Sequence, residues 1–166
     1  ADEMKPLKKE IFTALLCAFA ILLNILEGQL LHFLPYGLKI GLANIFALVV
    51  WEKYGRKEVV LLNLLRVVLA ALLKGTLFAI PFWISFSGVA LATLTLVLLY
   101  KKATLLFASL LAAVMHNLGQ LLMVMYFYHQ ANIAVLLPPL VLIAIPCGLL
   151  TAWIASEILK RIGSYD

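Results

Sequence analysis

Charge is what this chain has least of. Only 13% of its 166 residues are Asp, Glu, Lys or Arg, against about a quarter in a soluble domain. Such a chain cannot build the polar skin of a soluble globular enzyme, and it is equally unlike a disordered tail or a DNA-binding module. Cysteine is scarce too. Cys17 and Cys147 both sit within apolar runs, so they offer neither a disulfide framework nor a metal motif. The period-two alternation of a membrane β-barrel is missing. No Gly-x-x-x-x-Gly-Lys-Ser/Thr segment occurs, which excludes ATP hydrolysis by that route.

What the chain has instead is apolar length. Hydrophobic residues make up 65% of it, and the mean hydropathy is +1.09. Continuous Leu- and Ala-rich runs of this kind predict an all-α integral membrane protein, with lipid in place of a polar shell. The breaks between runs predict a single transmembrane domain of six helices, over about 8–31, 38–51, 59–78, 82–100, 103–128 and 133–162. Pro35-Tyr36-Gly37, the charged cluster Glu52 to Glu58, Pro81, Lys101-Lys102 and His129 to Asn132 mark the connections. Pro138, Pro139 and Pro146 are expected to bend or break the last helix. Ala1-Asp2-Glu3 reads as an addition ahead of a natural start at Met4. The first apolar run is long and unbroken, unlike a cleavable signal.

Basic residues set the expected orientation. With the N-terminus inside, Lys5, Lys8, Lys9, Lys53, Arg56, Lys57, Lys101, Lys102, Lys160 and Arg161 are all cytoplasmic. Only Lys39 and Lys74 fall outside, and Arg66 lies within a span. This satisfies the positive-inside rule and predicts both termini inside the cell membrane.

Ionisable side chains within a span cost about 2.5–3.5 kcal/mol each on insertion scales, so each calls for a reason. Glu27 and Asn24 lie near the outer end of the first helix, and Asn44 lies in the second. Asn63, Arg66 and Lys74 share a face of the third. Ser85, Ser87 and Gly88 open the fourth, and His116, Asn117 and Gln120 lie on one side of the fifth. Most fall in the outer half, which points to a polar pocket open to the outside. Simpler roles stand beside this one. Arg66 could pair with Glu27, His116 could be a packing residue, and Lys39 and Lys74 could snorkel to the interface. Asn24 and Asn63 suit interhelical hydrogen bonds. Phe33, Tyr36, Phe78, Phe82, Trp83, Tyr126, Phe127 and Tyr128 suit an interfacial aromatic belt. Ala14 and Ala18 have the four-residue spacing that lets a second helix approach.

Four segments in order resemble a known signature. They are Pro35 to Ile45 with its Lys-x-Gly-Leu-Ala-Asn core, Asn63-Leu64-Leu65-Arg66, Ser87-Gly88, and His116-Asn117-Leu118-Gly119-Gln120. Together they resemble the Gx transporter family, whose members often carry the description heptaprenyl diphosphate synthase component I. The resemblance covers about residues 10–160. That family is similar to the substrate-binding S components of energy-coupling factor (ECF) vitamin transporters. The resemblance implies six helices, both ends inside, an outward-facing pocket and a borrowed ATPase. It also implies that Ala14 and Ala18 form the contact with an ECF-type coupling subunit. Relatives linked to Rnf-type electron transport are similar to flavin transporters.

On this basis the expected function is transport of a flavin (riboflavin, FMN or FAD), with no intrinsic cofactor and no catalytic or metal-binding residue. Glu27, Lys39, Asn44, Arg66, Lys74, Ser87, His116, Asn117 and Gln120 are the expected ligand-binding residues. Arg66, Lys39 and Lys74 suit a phosphate or diphosphate. Asn44, His116, Asn117 and Gln120 can match a ring edge or a ribityl chain. Glu27 would pair with Arg66 or accept a ligand hydroxyl. Coupling to partner ATPases and a homodimer acting alone both remain open. Prenyl-chain elongation needs Mg²⁺ held by clustered aspartates, because Mg²⁺ prefers oxygen ligands. With Asp2 and Asp166 the only aspartates, independent catalysis is excluded. A noncatalytic subunit of a prenyl diphosphate synthase, or an S component for another vitamin-like molecule, remains as an alternative.

Overall fold

The structure is a computed structural model. It describes residues 4–163, with side chains from Pro6 onward. Ala1, Asp2, Glu3 and Asp166 lie outside the described residues, and so does the side chain of Lys5. Six α-helices follow one another: α1 Met4–Leu30, α2 Asn44–Lys53, α3 Arg56–Lys74, α4 Ile80–Leu99, α5 Leu105–Tyr128 and α6 Leu137–Gly163. Two short 3₁₀ turns, Pro35–Gly37 and Ala131–Leu136, precede α2 and α6. No strand occurs among the described residues.

The helices start and stop for local reasons. Thr104 caps α5 by accepting a hydrogen bond from Phe107 N–H at 3.3 Å. Pro81 sits in the first turn of α4, where a missing N–H costs nothing. Pro138 and Pro139 occupy the first turn of α6 for the same reason, so they open that helix rather than break it. Pro146 lies inside α6, which continues through it.

The helix expected over 38–51 begins only at Asn44. Residues 38–43 form a non-helical stretch in which Gly41 has φ 88°, a conformation other residues adopt only under strain. With 10 residues, α2 is about 15 Å long, half of the roughly 30 Å of a hydrocarbon core. Among the described residues, four helical segments are long and apolar enough to cross a membrane: Pro6–Leu30, Ile80–Leu99, Leu105–Tyr128 and Ala131–Gly163. α2 is too short to qualify, and α3 carries Arg56, Lys57, Glu58, Arg66 and Lys74. The surface matches a lipid environment, since Ile11, Leu22, Leu73, Leu98, Leu142 and Trp153 are all exposed. These apolar helices mark a multi-pass membrane protein.

α5 packs between α4 and α6, α1 lies against α3, and α2 contacts α1, α3, α5 and α6. The α4–α5 approach is very close. A Cβ on Gly119 would lie 2.5 Å from the Ser87 carbonyl oxygen, so only glycine fits. Ser87 reinforces the seam by donating to the Gly119 carbonyl at 2.8 Å. Trp51, at the buried end of α2, donates from Nε1 to the Leu96 carbonyl at 2.6 Å, and the Tyr100 ring meets its edge. Trp51→Phe should cost roughly 1–2 kcal/mol by removing that bond, read as a lower melting temperature in detergent.

Candidate functional site

The polar side chains divide into two groups at different depths. The outer group surrounds a cavity of about 180 Å³, lined by Asn24 and Gly28 of α1, Gly37 and Lys39 of the connection, Ala70 and Lys74 of α3, then Thr76, Pro81, Phe82 and Ser85 among others. The late turns of α1 and α3 meet the first turns of α4 here. Lys39 donates from Nζ to Asn24 Oδ1 at 2.9 Å. Lys74 brings its Nζ to 3.0 Å, and Lys39 its Cε to 3.7 Å, from where a Cβ on Gly28 would stand. Glycine at 28 therefore lets two cationic side chains close over one spot. Lysine at the last turn of α3 is also favoured by the negative end of that helix dipole.

The inner group is buried and largely tied to itself. Gln120 grips the backbone of Lys39 with both ends of its amide: Lys39 N–H donates to Oε1 and Nε2 donates to the Lys39 carbonyl, each at 2.8 Å. Glu27 accepts the Gly41 N–H at 2.5 Å through Oε1. Arg66, almost fully buried, donates from Nη2 to Asn44 Oδ1 at 3.0 Å. Asn117 donates to the Leu140 carbonyl at 2.9 Å and so joins α5 to α6. His116 presses against the connection, its Cδ2 lying 3.2 Å from where a Cβ on Gly41 would be.

Sequence reasoning expected one pocket holding all of these residues. The structure places only Lys39 and Lys74 of that set on the cavity wall. Ser87 and Gln120 are engaged in helix and loop contacts. Glu27 forms no ion pair with Arg66; its bonded oxygen goes to the loop amide instead. The interhelical bond expected of Asn63 is present, to Thr93 of α4 at 2.8 Å. Asn24, expected to bond another helix, bonds the loop lysine. Asn24, Gly28, Thr76 and Ser85 were not among the expected ligand-binding residues. The four-residue spacing of Asn24 and Gly28, which puts both on one face of α1, was the available signal.

The inner group carries unpartnered polar atoms: Glu27 Oε2, Arg66 Nε, both ring nitrogens of His116, and Asn117 Oδ1. Buried polar atoms without partners call for water or ligand. The space beside Gly41, Asn44, Ser109 and Thr151 is only about 10 Å³, room for roughly one water. Of the aromatic residues, Phe82 is buried in the cavity wall, while Phe33, Phe78 and Tyr126 are well exposed. Phe78, Phe82, Trp83 and Phe86 form one ring cluster.

At the opposite end of the bundle, Lys9 of α1 pairs with Glu58 of α3. A groove of about 400 Å³ runs from this pair between the two helices, past Thr13, Ala14, Leu61 and Leu65. Ala14 and Ala18 are both exposed. Among the described residues no cluster of His, Cys, Asp or Glu could hold a metal ion.

A family model described as heptaprenyl diphosphate synthase component I matches residues 16–158. The chain belongs to that family. The match agrees with the motif resemblance, and it spans both polar groups. No curated protein and no solved structure matches the chain.

Proposed function

We infer that this chain is the substrate-binding part of a membrane transporter of the S-component type, with a flavin as its ligand. With both termini in the cytoplasm, as the basic residues predict, the lysine-lined cavity would lie on the outer side, where a solute would enter. The observation that carries this reading is the arrangement of Lys39 and Lys74 over one cavity at the end of the bundle opposite the Lys9–Glu58 pair. Intramembrane polar groups that line a cavity are characteristic of solute pathways. The cavity is smaller than the roughly 300–1,000 Å³ usual for drug-sized ligands, so it takes only part of a flavin. The exposed Ala14 and Ala18 face suits a coupling subunit that brings an ATPase, or a second copy in a homodimer.

Titration of detergent-purified protein with riboflavin, FMN and FAD tests this directly. At least one should bind, and purified protein should carry the visible flavin absorbance. Absence of binding by all three would remove the flavin assignment.

The family description favours a second reading, a noncatalytic membrane subunit of a prenyl diphosphate synthase. That reading predicts co-purification with a soluble synthase and no bound small molecule.

A further inference from the structure

The three cations expected to hold an anion do not act together. Arg66 is buried and bonded to Asn44, whereas Lys39 and Lys74 share the cavity. Those two lysines are its charged lining residues, and no carboxylate lies on its wall among the described residues. Glu27, one residue before Gly28, directs its bonded oxygen to the Gly41 amide. The first two turns of α4 supply Pro81, Phe82 and Ser85 to the wall. Two ammonium groups held side by side repel one another, and an anion between them relieves that repulsion.

We propose that Lys39 and Lys74, closing over Gly28, form a site for a terminal phosphate monoester, so that the preferred flavin is FMN rather than riboflavin or FAD. This deepens the transport reading and rests on it for the flavin part of the ligand. A monoester carries a charge of about −1.5 to −2 at neutral pH, which two ammonium groups neutralise. It is a compact end group, and a cavity of about 180 Å³ takes it together with part of the attached chain. The diphosphate of FAD is internal and bears a nucleoside on its far side, for which this cavity has no space. Riboflavin brings no charge to balance the lysines. A phosphate monoester could also arrive as a lipid headgroup, because the site lies at the end of a lipid-facing bundle.

The test is calorimetric titration of the full chain in detergent with inorganic phosphate, FMN, riboflavin and FAD. The same protein in nanodiscs with and without phosphatidic acid supplies a lipid arm. FMN should bind about tenfold or more tighter than riboflavin, as expected for charge-assisted hydrogen bonds. Inorganic phosphate should compete with FMN. Lys74→Gln should abolish the FMN advantage over riboflavin, with an unchanged melting temperature in detergent showing that the variant is folded. Lys39→Gln should act in the same direction. Equal binding of FMN and riboflavin by the unaltered protein, or an FMN advantage that survives both substitutions, overturns the proposal and leaves the flavin reading standing. Lysine-dependent phosphate binding with no flavin bound supports the anion site and removes the flavin reading. Displacement by phosphatidic acid without any effect of FMN assigns the site to a lipid headgroup and overturns the solute form.

Discussion

Gly119→Ala should destabilise the protein by about 3 kcal/mol, the upper range for overpacking a tight interior. The added methyl group would stand 2.5 Å from the Ser87 carbonyl oxygen and 3.0 Å from the Gly88 α-carbon. Both are backbone atoms, so no side chain can rotate aside and α4 must move as a unit. That movement also lengthens the bond from Ser87 to the Gly119 carbonyl. Thermal unfolding in detergent, followed by intrinsic tryptophan fluorescence, gives the measurement. Gly163→Ala at the end of α6 is the control, because a Cβ there meets nothing within 4 Å. If the two variants melt alike, the helices are not as close as described.

Gln120→Leu should release the 38–43 connection. Leucine keeps the bulk of the side chain but leaves the Lys39 N–H and carbonyl without their partner. Each orphaned backbone group costs about 1–3 kcal/mol when shielded from water. That is enough to let this stretch open locally while the helices stay packed. Amide hydrogen exchange should rise over residues 38–43 and remain unchanged in α4 and α6. Gln120→Glu retains an acceptor for the N–H and loses the donor to the carbonyl, so its exchange should be intermediate. Unaltered exchange in the leucine variant would show that other contacts hold the connection.

The helices were largely legible in the sequence because apolar runs, prolines and charged clusters report locally. The start of α2 was not. Leu38 to Ala43 is apolar and reads as helix, yet its backbone is held by Glu27 and Gln120, and Gln120 lies 81 residues from Lys39. No local periodicity reports a bond of that separation. Pro138 and Pro139 show the converse problem. They mark a helix boundary, but only their position in the first turn says on which side it lies. The candidate site was legible as a set of buried polar residues. Its division into an outer cavity and an inner network depends on which way each helix faces. Arg66 and Lys74 stand two turns apart on α3, and only packing reveals that one is sealed against Asn44 while the other closes over Gly28.

The shortness of α2 has a consequence for biosynthesis. A 10-residue helix continued by irregular backbone has too little apolar length to enter a bilayer as an independent span. Exposed peptide groups in the 38–43 stretch would meet lipid with nothing to bond them. Their partner in α5 leaves the ribosome only after α3 and α4 have been made. This segment should therefore wait at the membrane surface and enter its place late, as a slot between α1, α3, α5 and α6 closes around it. Truncated nascent chains ending before Leu105 should leave it accessible to water-soluble labels, and chains extended past Gly163 should protect it.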